Sequence, residues 1–235
     1  IKMVSVCIAT YNGEKYLRIQ LESILSQLGR DDEVIISDDG SKDNTVAIIE
    51  SFNDYRIHIY KNNNSHGFVG NFENALNHAE GDYIFLSDQD DIWLANKVST
   101  ILPLFKTYDL IVHDAEIVNG DGMSLNKNYY STLHNGHGFL KNLYKSRFLG
   151  CCMAFTKDVK EACLPFPKDI VAHDYWIGMY SLLKFKVTFI DDILLKYRRH
   201  GDNVSSSSEK STNTLFYKLF TKRFVLLRDI LKRLI

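Results

Sequence analysis

The sequence predicts an α/β protein, a mainly parallel sheet flanked by helices with a mixed or antiparallel half added to it. Three observations carry that prediction. Short, continuous apolar runs alternate with segments of helical period through the first hundred residues. Each apolar run ends in a polar loop, and several of those loops are acidic. From about residue 109 the texture changes to apolar runs separated by turns.

Val4 to Thr10 reads as a strand buried on both faces, since its apolar residues do not alternate with polar ones. Leu17, Leu21, Ile24, Leu25 and Leu28 then share one helical face. Val34 to Ser37 is the next strand and Thr45 to Phe52 the next helix; Ile57 to Tyr60, Asn71 to Ala79 and Tyr83 to Leu86 continue as strand, helix and strand. This order implies right-handed crossovers, with ligands held at the carboxyl ends of the strands. The loops at those ends are Thr10 to Gly13, Asp38 to Ser41, Asn62 to Gly70 and Asp88 to Asp91.

Beyond residue 109, Leu110 to Val112, Ala115 to Val118, a Gly120-Asp121-Gly122 turn and an aromatic stretch from Tyr129 to Tyr144 suggest antiparallel strands and excursions. A helical or mixed segment around Ile170 to Leu183 precedes strands at Val187 to Ile190 and Leu194 to Tyr197. The expected organisation is a parallel half over about 1–108, a mixed half over about 109–200, a flexible loop over 201–214 and a basic amphipathic helix over 215–235. In that helix Leu219, Phe220, Leu227 and Leu231 interleave with Lys218, Arg223, Arg228, Lys232 and Arg233. Such a helix can lie on an anionic membrane, pack on its own domain, or join a second subunit in an oligomer.

The chain has 235 residues, 45% hydrophobic and 24% charged, with 28 basic against 29 acidic side chains. A net charge of −1 sets up no general field for nucleic acid, so partners must be recognised locally. Cys7, Cys151, Cys152 and Cys163 match neither a disulfide framework nor a metal-binding C-x-x-C pattern. No secretory pattern opens the chain and no apolar run reaches the roughly 18 residues of a membrane span, so a cytoplasmic setting is expected, with membrane contact only at the periphery.

The chemistry concentrates in Asp88-Gln89-Asp90-Asp91, where a strand end delivers three carboxylates to one place. Like charges so close cannot all ionise freely without a cation. Mg²⁺ held by one or two carboxylates and the phosphates of a ligand is the usual solution. Asp38 and Asp39 end the second strand at the same edge and can accept hydrogen bonds from a base imide or ribose hydroxyls; a helix N-cap accounts for one of them. Tyr11 and Asn12 in the first loop offer a ring and backbone donors to a nucleobase, or form an ordinary strand-to-helix turn. Asn71 either reaches the nucleotide or caps the third helix.

Together Thr10-Tyr11-Asn12, Ser37-Asp38-Asp39-Gly40-Ser41 and Ser87-Asp88-Gln89-Asp90-Asp91-Ile92-Trp93 resemble the family 2 glycosyltransferases of Rossmann-like GT-A fold, with a match from Val4 to about Ser205. The form of Ser87 to Trp93 is most similar to bacterial rhamnosyl and glucosyl transferases that build surface polysaccharides such as O-antigen and capsule. The resemblance implies that Thr10, Asp38 and Asp39 hold base and ribose, that Asp88 serves the ribose and metal side with Gln89 beside it, and that Asp90 binds Mn²⁺ or Mg²⁺. It also implies that Asp174, in His173-Asp174-Tyr175-Trp176, is the general base, that His200 completes the metal shell and that Arg198 meets the diphosphate. Gly150, Cys151, His173 and Trp176 would border the acceptor, a glycan or lipid-linked oligosaccharide. An imidazole ligand leans toward manganese.

Such residues would support an inverting transfer from a UDP- or dTDP-linked sugar to a hydroxyl. The alternatives are a nucleotidyltransferase, for which the first loop lacks a Gly-rich basic segment, and a non-catalytic membrane-associated scaffold, against which the intact acidic residues speak. A dinucleotide-binding G-x-G-x-x-G and a P-loop are both absent.

Overall fold

The structure, a computed structural model, describes residues 2–63, 65–130, 138–200 and 215–234. The expected flexible segment at 201–214 lies outside the described residues.

The parallel half forms as its sequence pattern requires. Strands β1 (Val4–Thr10), β2 (Glu33–Asp38), β3 (Ile57–Lys61) and β4 (Tyr83–Ser87) are connected by helices α1 (Leu17–Leu25), α2 (Thr45–Ser51) and α3 (Phe68–His78). Helix α1 buries Leu17, Leu21 and Ile24 completely, each worth about 1.5–3 kcal/mol relative to exposure. Helix α3 starts three residues before the expected Asn71, because Gly67 adopts φ 96° and turns the chain directly into it.

The second half continues the same sheet. After the two-residue strand β5 (Ile92–Trp93) and helix α4 (Lys97–Ile101) come strands β6 (Leu110–Val118) and β7 (Ser124–Asn128) and helix α5 (Phe139–Tyr144). Strand β8 (Met153–Thr156), helices α6 (Lys157–Cys163) and α7 (His173–Lys184), strand β9 (Val187–Arg198) and helix α8 (Leu215–Leu234) complete the chain. The strand order is β3-β2-β1-β4-β8-β6-β9-β5, with β7 paired to β6. Strand β8 runs antiparallel to β4 and β6, and β9 parallel to β6, so the second half is mixed.

Two expected pairs of strands are single ones. Residues 110–118 run on as β6 through the polar His113-Asp114, because His113 is buried and Asp114 accepts from the Ala115 and Tyr130 amides. Residues 187–198 likewise form one strand, β9, whose register against β6 shifts around Asp114 and absorbs the polar Asp191-Asp192. Register also places the site: Thr10 pairs with Asp38 and Ile8 with Ser87, so the loops after β1, β2 and β4 leave the sheet at one level.

Helix α8 packs on its own domain along its described side chains. Leu226 and Ile230 are buried. Arg223 donates to the Leu143 carbonyl at 2.6 Å, Arg228 pairs with Asp169 at 3.0 Å, and Arg233 donates to the Ala162 and Pro165 carbonyls. Three of its cations therefore bind the domain, while Phe224, Leu231 and Lys232 face outward. Among the described residues no helix is long and apolar enough to cross a membrane.

Candidate active site

The acidic loop after β4 is held from beneath. Gln20, buried in α1, donates to Ser87 Oγ at 2.6 Å and to the Asp88 carbonyl at 2.5 Å, and Trp93 Nε1 donates to Ser87 Oγ at 3.1 Å. These bonds fix where the carboxylates emerge. Asp88 is pushed up to about 7 by burial, then by the charges of Asp90 and Asp174. Asp90 is raised by burial, an effect that His200 opposes, and Asp91 is raised further by burial together with Asp90 and Asp88. Carboxylates crowded in this way retain protons until a cation replaces them.

Asp90 and His200, the expected metal ligands, meet: His200 Nε2 lies 2.7 Å from Asp90 Oδ2. The His200 ring rests 4.8 Å from that of Tyr16. Beside them is a ligand set that the sequence did not reveal. Asp88, Asp91 and Cys151 bring two oxygens and a sulfur within 4.8 Å of one another. Asp91 accepts the Arg198 amide on one oxygen at 2.9 Å, and its other oxygen is buried with no hydrogen-bond partner. An orphaned buried oxygen among carboxylates suits a hard divalent cation.

Arg198 differs from its expected role. It is only 3% exposed, with Nε on the Asp90 carbonyl at 2.8 Å, Nη1 on the Gly120 carbonyl at 2.7 Å and its guanidinium over the Tyr16 ring. It braces the acidic loop from inside the fold. The exposed cation of this segment is Arg199.

On the other side of the edge, Thr10 and Asp38 face inward. Asp38 accepts from Thr10 Oγ1, Ser41 Oγ and the Gly40 and Ser41 amides, so its oxygens shape the 38–41 loop. Asp39 lies nearer the surface, accepting from Asn62 and the Gly67 amide and facing His66 Nδ1 at 2.8 Å. Tyr11 is half exposed, and Asn12 links to the second loop by accepting the Lys42 amide. Asn71 does not cap the helix, whose start Gly67 occupies; it is buried and donates to the Thr10 carbonyl at 3.0 Å.

Gln89 is a clamp between the two loops. Its Oε1 accepts the Tyr11 amide at 2.9 Å and its Nε2 donates to the Tyr11 carbonyl at 3.0 Å. A Cβ at Gly13 would push the Gln89 side-chain amide out of this position. Replacing Gln89 with alanine removes two hydrogen bonds at about 0.5–1.5 kcal/mol each and should weaken nucleotide binding by roughly fivefold to a hundredfold. Calorimetry with UDP in chelator checks this, because the clamp touches the first loop and not the cation.

Asp174 stands at the start of α7. Its Oδ2 accepts the Gly150 amide at 3.2 Å and its Oδ1 the Tyr175 amide at 2.7 Å. Burial pushes it up to about 6 despite those donors. Gly150 must be glycine, since a Cβ would come within 2.8 Å of His173 Nε2. His173 stacks on Phe72 at 4.0 Å, is held neutral by burial, which lowers it to about 3, and has no hydrogen-bond partner at either nitrogen. Cys151 is buried beneath Asp88 and Asp91.

Trp176, expected on the acceptor side, is a core residue instead: it is fully buried, stacks on Tyr180 at 5.5 Å and donates to the Cys163 carbonyl. Asp174 and Trp176 stand two residues apart on α7, roughly half a helical turn, so they project in different directions, which the tetrapeptide alone did not distinguish. Tyr129, just after β7, lies near Asp174 and is pushed up to about 12, by burial first and then by Cys151 and Asp174. Nothing in its sequence context marks it.

A sheet whose parallel edge gathers an acidic loop, and whose mixed half sets a further carboxylate opposite it, is the architecture of GT-A sugar transferases. The chain belongs to the glycosyl transferase family 2: the model of that family matches residues 5–161. Among curated relatives it is 31% identical over 213 residues to the Escherichia coli UDP-Glc:alpha-D-GlcNAc-diphosphoundecaprenol beta-1,3-glucosyltransferase WfgD, covering 88% of this chain and 81% of that one. It is 29% identical over 217 residues to the Shigella flexneri dTDP-rhamnosyl transferase RfbG, covering 83% and 72%. The crystal structure of S. aureus TarS 1-349 in complex with UDP-GlcNAc superposes with a TM-score of 0.74 at 21% identity, over 97% of this chain and 66% of that one.

Proposed function

We propose that the protein transfers a hexose, glucose or rhamnose, from a UDP- or dTDP-linked donor to a hydroxyl of a lipid-linked saccharide, with inversion at the anomeric carbon. The observation that carries this reading is the facing of Asp174 and the acidic loop: Asp174 holds the Gly150 amide, and the next residue of that turn, Cys151, lies within 4.8 Å of the Asp88 and Asp91 carboxylates. The names of WfgD and RfbG support the two donors and the lipid-linked acceptor.

In this reading the base and ribose lie against Tyr11 and Asp39, on a floor that Thr10, Asp38 and Asn71 hold in shape. The diphosphate lies toward Asp88, Asp90 and His200, where Mn²⁺ or Mg²⁺ would be held. A bound cation there supplies Lewis-acid stabilisation of the departing diphosphate. Arg199, exposed beside His200, takes the diphosphate role first expected of Arg198. Asp174 removes the proton of the acceptor hydroxyl as that oxygen bonds to the anomeric carbon and the bond to the diphosphate oxygen breaks on the opposite face. The oxocarbenium-like character of such a step is shared with glycoside hydrolysis. One carboxylate is sufficient because the leaving group requires no proton.

Acceptor-free hydrolysis of a panel of UDP- and dTDP-sugars with manganese tests the reading. Slow release of UDP or dTDP, abolished by chelator, is the expected result. A chain that binds nucleotide sugars but neither hydrolyses nor transfers them would support the scaffold alternative.

A further inference from the structure

Lys97, the first residue of α4, has no exposed surface, and the transfer chemistry above makes no use of it. Its Nζ donates to the Cys151 carbonyl at 2.8 Å and lies 4.1 Å from the centre of the Trp93 ring. An ammonium taken out of water is costly unless opposite charge and acceptors surround it. The Cys151 carbonyl and the face of the Trp93 ring meet that need, with Asp91 and Asp88 nearby. An apolar side chain of similar volume would fill the space at less cost. The cation instead joins two parts of the site: Trp93 continues the acidic loop, and Cys151 belongs to the short 3-10 turn Gly150–Cys152 whose first amide holds Asp174.

We propose that Lys97 is a positioning residue that fixes the spacing between the acidic loop and Asp174, by pinning the Cys151 carbonyl and with it the Gly150 amide. This rests on the transferase reading above. Without the ammonium, the Cys151 carbonyl loses a buried donor and the turn can relax, withdrawing the Gly150 amide from the carboxylate. After the Tyr175 amide, that amide holds the Asp174 carboxyl down against burial. The titratable groups facing Asp174 are Asp88 beyond β4 and Tyr129 beyond β7, with neutral His173 beside it in α7.

The test uses Lys97→Met and Lys97→Gln in the full chain, with kcat and donor KM measured across pH and metal-dependent nucleotide binding measured alongside. Lys97→Met should fold, bind nucleotide with manganese as the parent does and keep its donor KM. Its kcat should fall about 10–100-fold, the size seen when a supporting partner of a site residue is lost, and the acid limb of its kcat profile should move to higher pH. Lys97→Gln, which keeps a donor for the carbonyl, should recover part of the rate. An unchanged kcat and limb, a loss of kcat matched by loss of metal-dependent binding, or failure of both variants to fold would each overturn the proposal. A parent that binds no nucleotide and processes no nucleotide sugar would instead overturn the transferase reading beneath it.

Discussion

Asp174→Asn should lower transfer about 10² to 10⁴-fold while donor and manganese bind as before. Asparagine preserves the shape of the side chain but has one acceptor oxygen where the carboxylate has two, so it keeps only one of the Gly150 and Tyr175 amide bonds, and it cannot take a proton. The donor contacts proposed above lie on the loops after β1, β2 and β4 and just after β9, not on α7, so nucleotide affinity should not register the change. The pH profile gives an independent check. With its pKa raised to about 6, Asp174 is a base above that value and is lost as one below it. Parent kcat should therefore fall on the acid side with an apparent pKa near 6, and the residual rate of the asparagine variant should lack that limb. Equal losses of kcat and donor binding would move Asp174 from catalysis to binding.

Asp90→Ala should weaken manganese-dependent binding of UDP or dTDP at least tenfold, about 1.4 kcal/mol, and leave binding in chelator nearly unchanged. The carboxylate meets His200 at 2.7 Å, so its removal takes away one candidate ligand and the partner that orients another. Calorimetry with and without manganese measures both arms. Should the variant match the parent with manganese present, the cation would have to be held by Asp88, Asp91 and Cys151 instead.

The parallel half was legible because its signals are local. Strand β1 has an uninterrupted apolar run, α1 a helical face, and the loops that follow the strands carry their polar residues in view. The mixed half was less so. Strands β6 and β9 each pass through acidic residues that read as breaks, and only the pairing between them makes a continuous ladder worthwhile. Within the site, Asp90 with His200 was recoverable from motifs, whereas the inward use of Arg198, Trp176 and Asn71 was not. Side-chain direction depends on the register of β9 and on which face of α7 and α3 meets the core, and a motif records neither. Lys97 was hidden for a related reason: a lysine at a helix start is ordinarily solvated, and only the crossing of the acidic loop over the Gly150–Cys152 turn buries it.

The central claim is that the acidic loop after β4 grips a cation which in turn faces the diphosphate of an activated sugar. Anomalous scattering from crystals grown with manganese and UDP, or dTDP where that binds better, tests it directly. The account predicts a manganese peak within about 2–2.5 Å of a carboxylate oxygen of Asp90 or Asp88, with the diphosphate on its far side and the base toward Asp39. A nucleotide ordered in the cleft with no peak at those carboxylates, or a base lying toward Asp174, would contradict it.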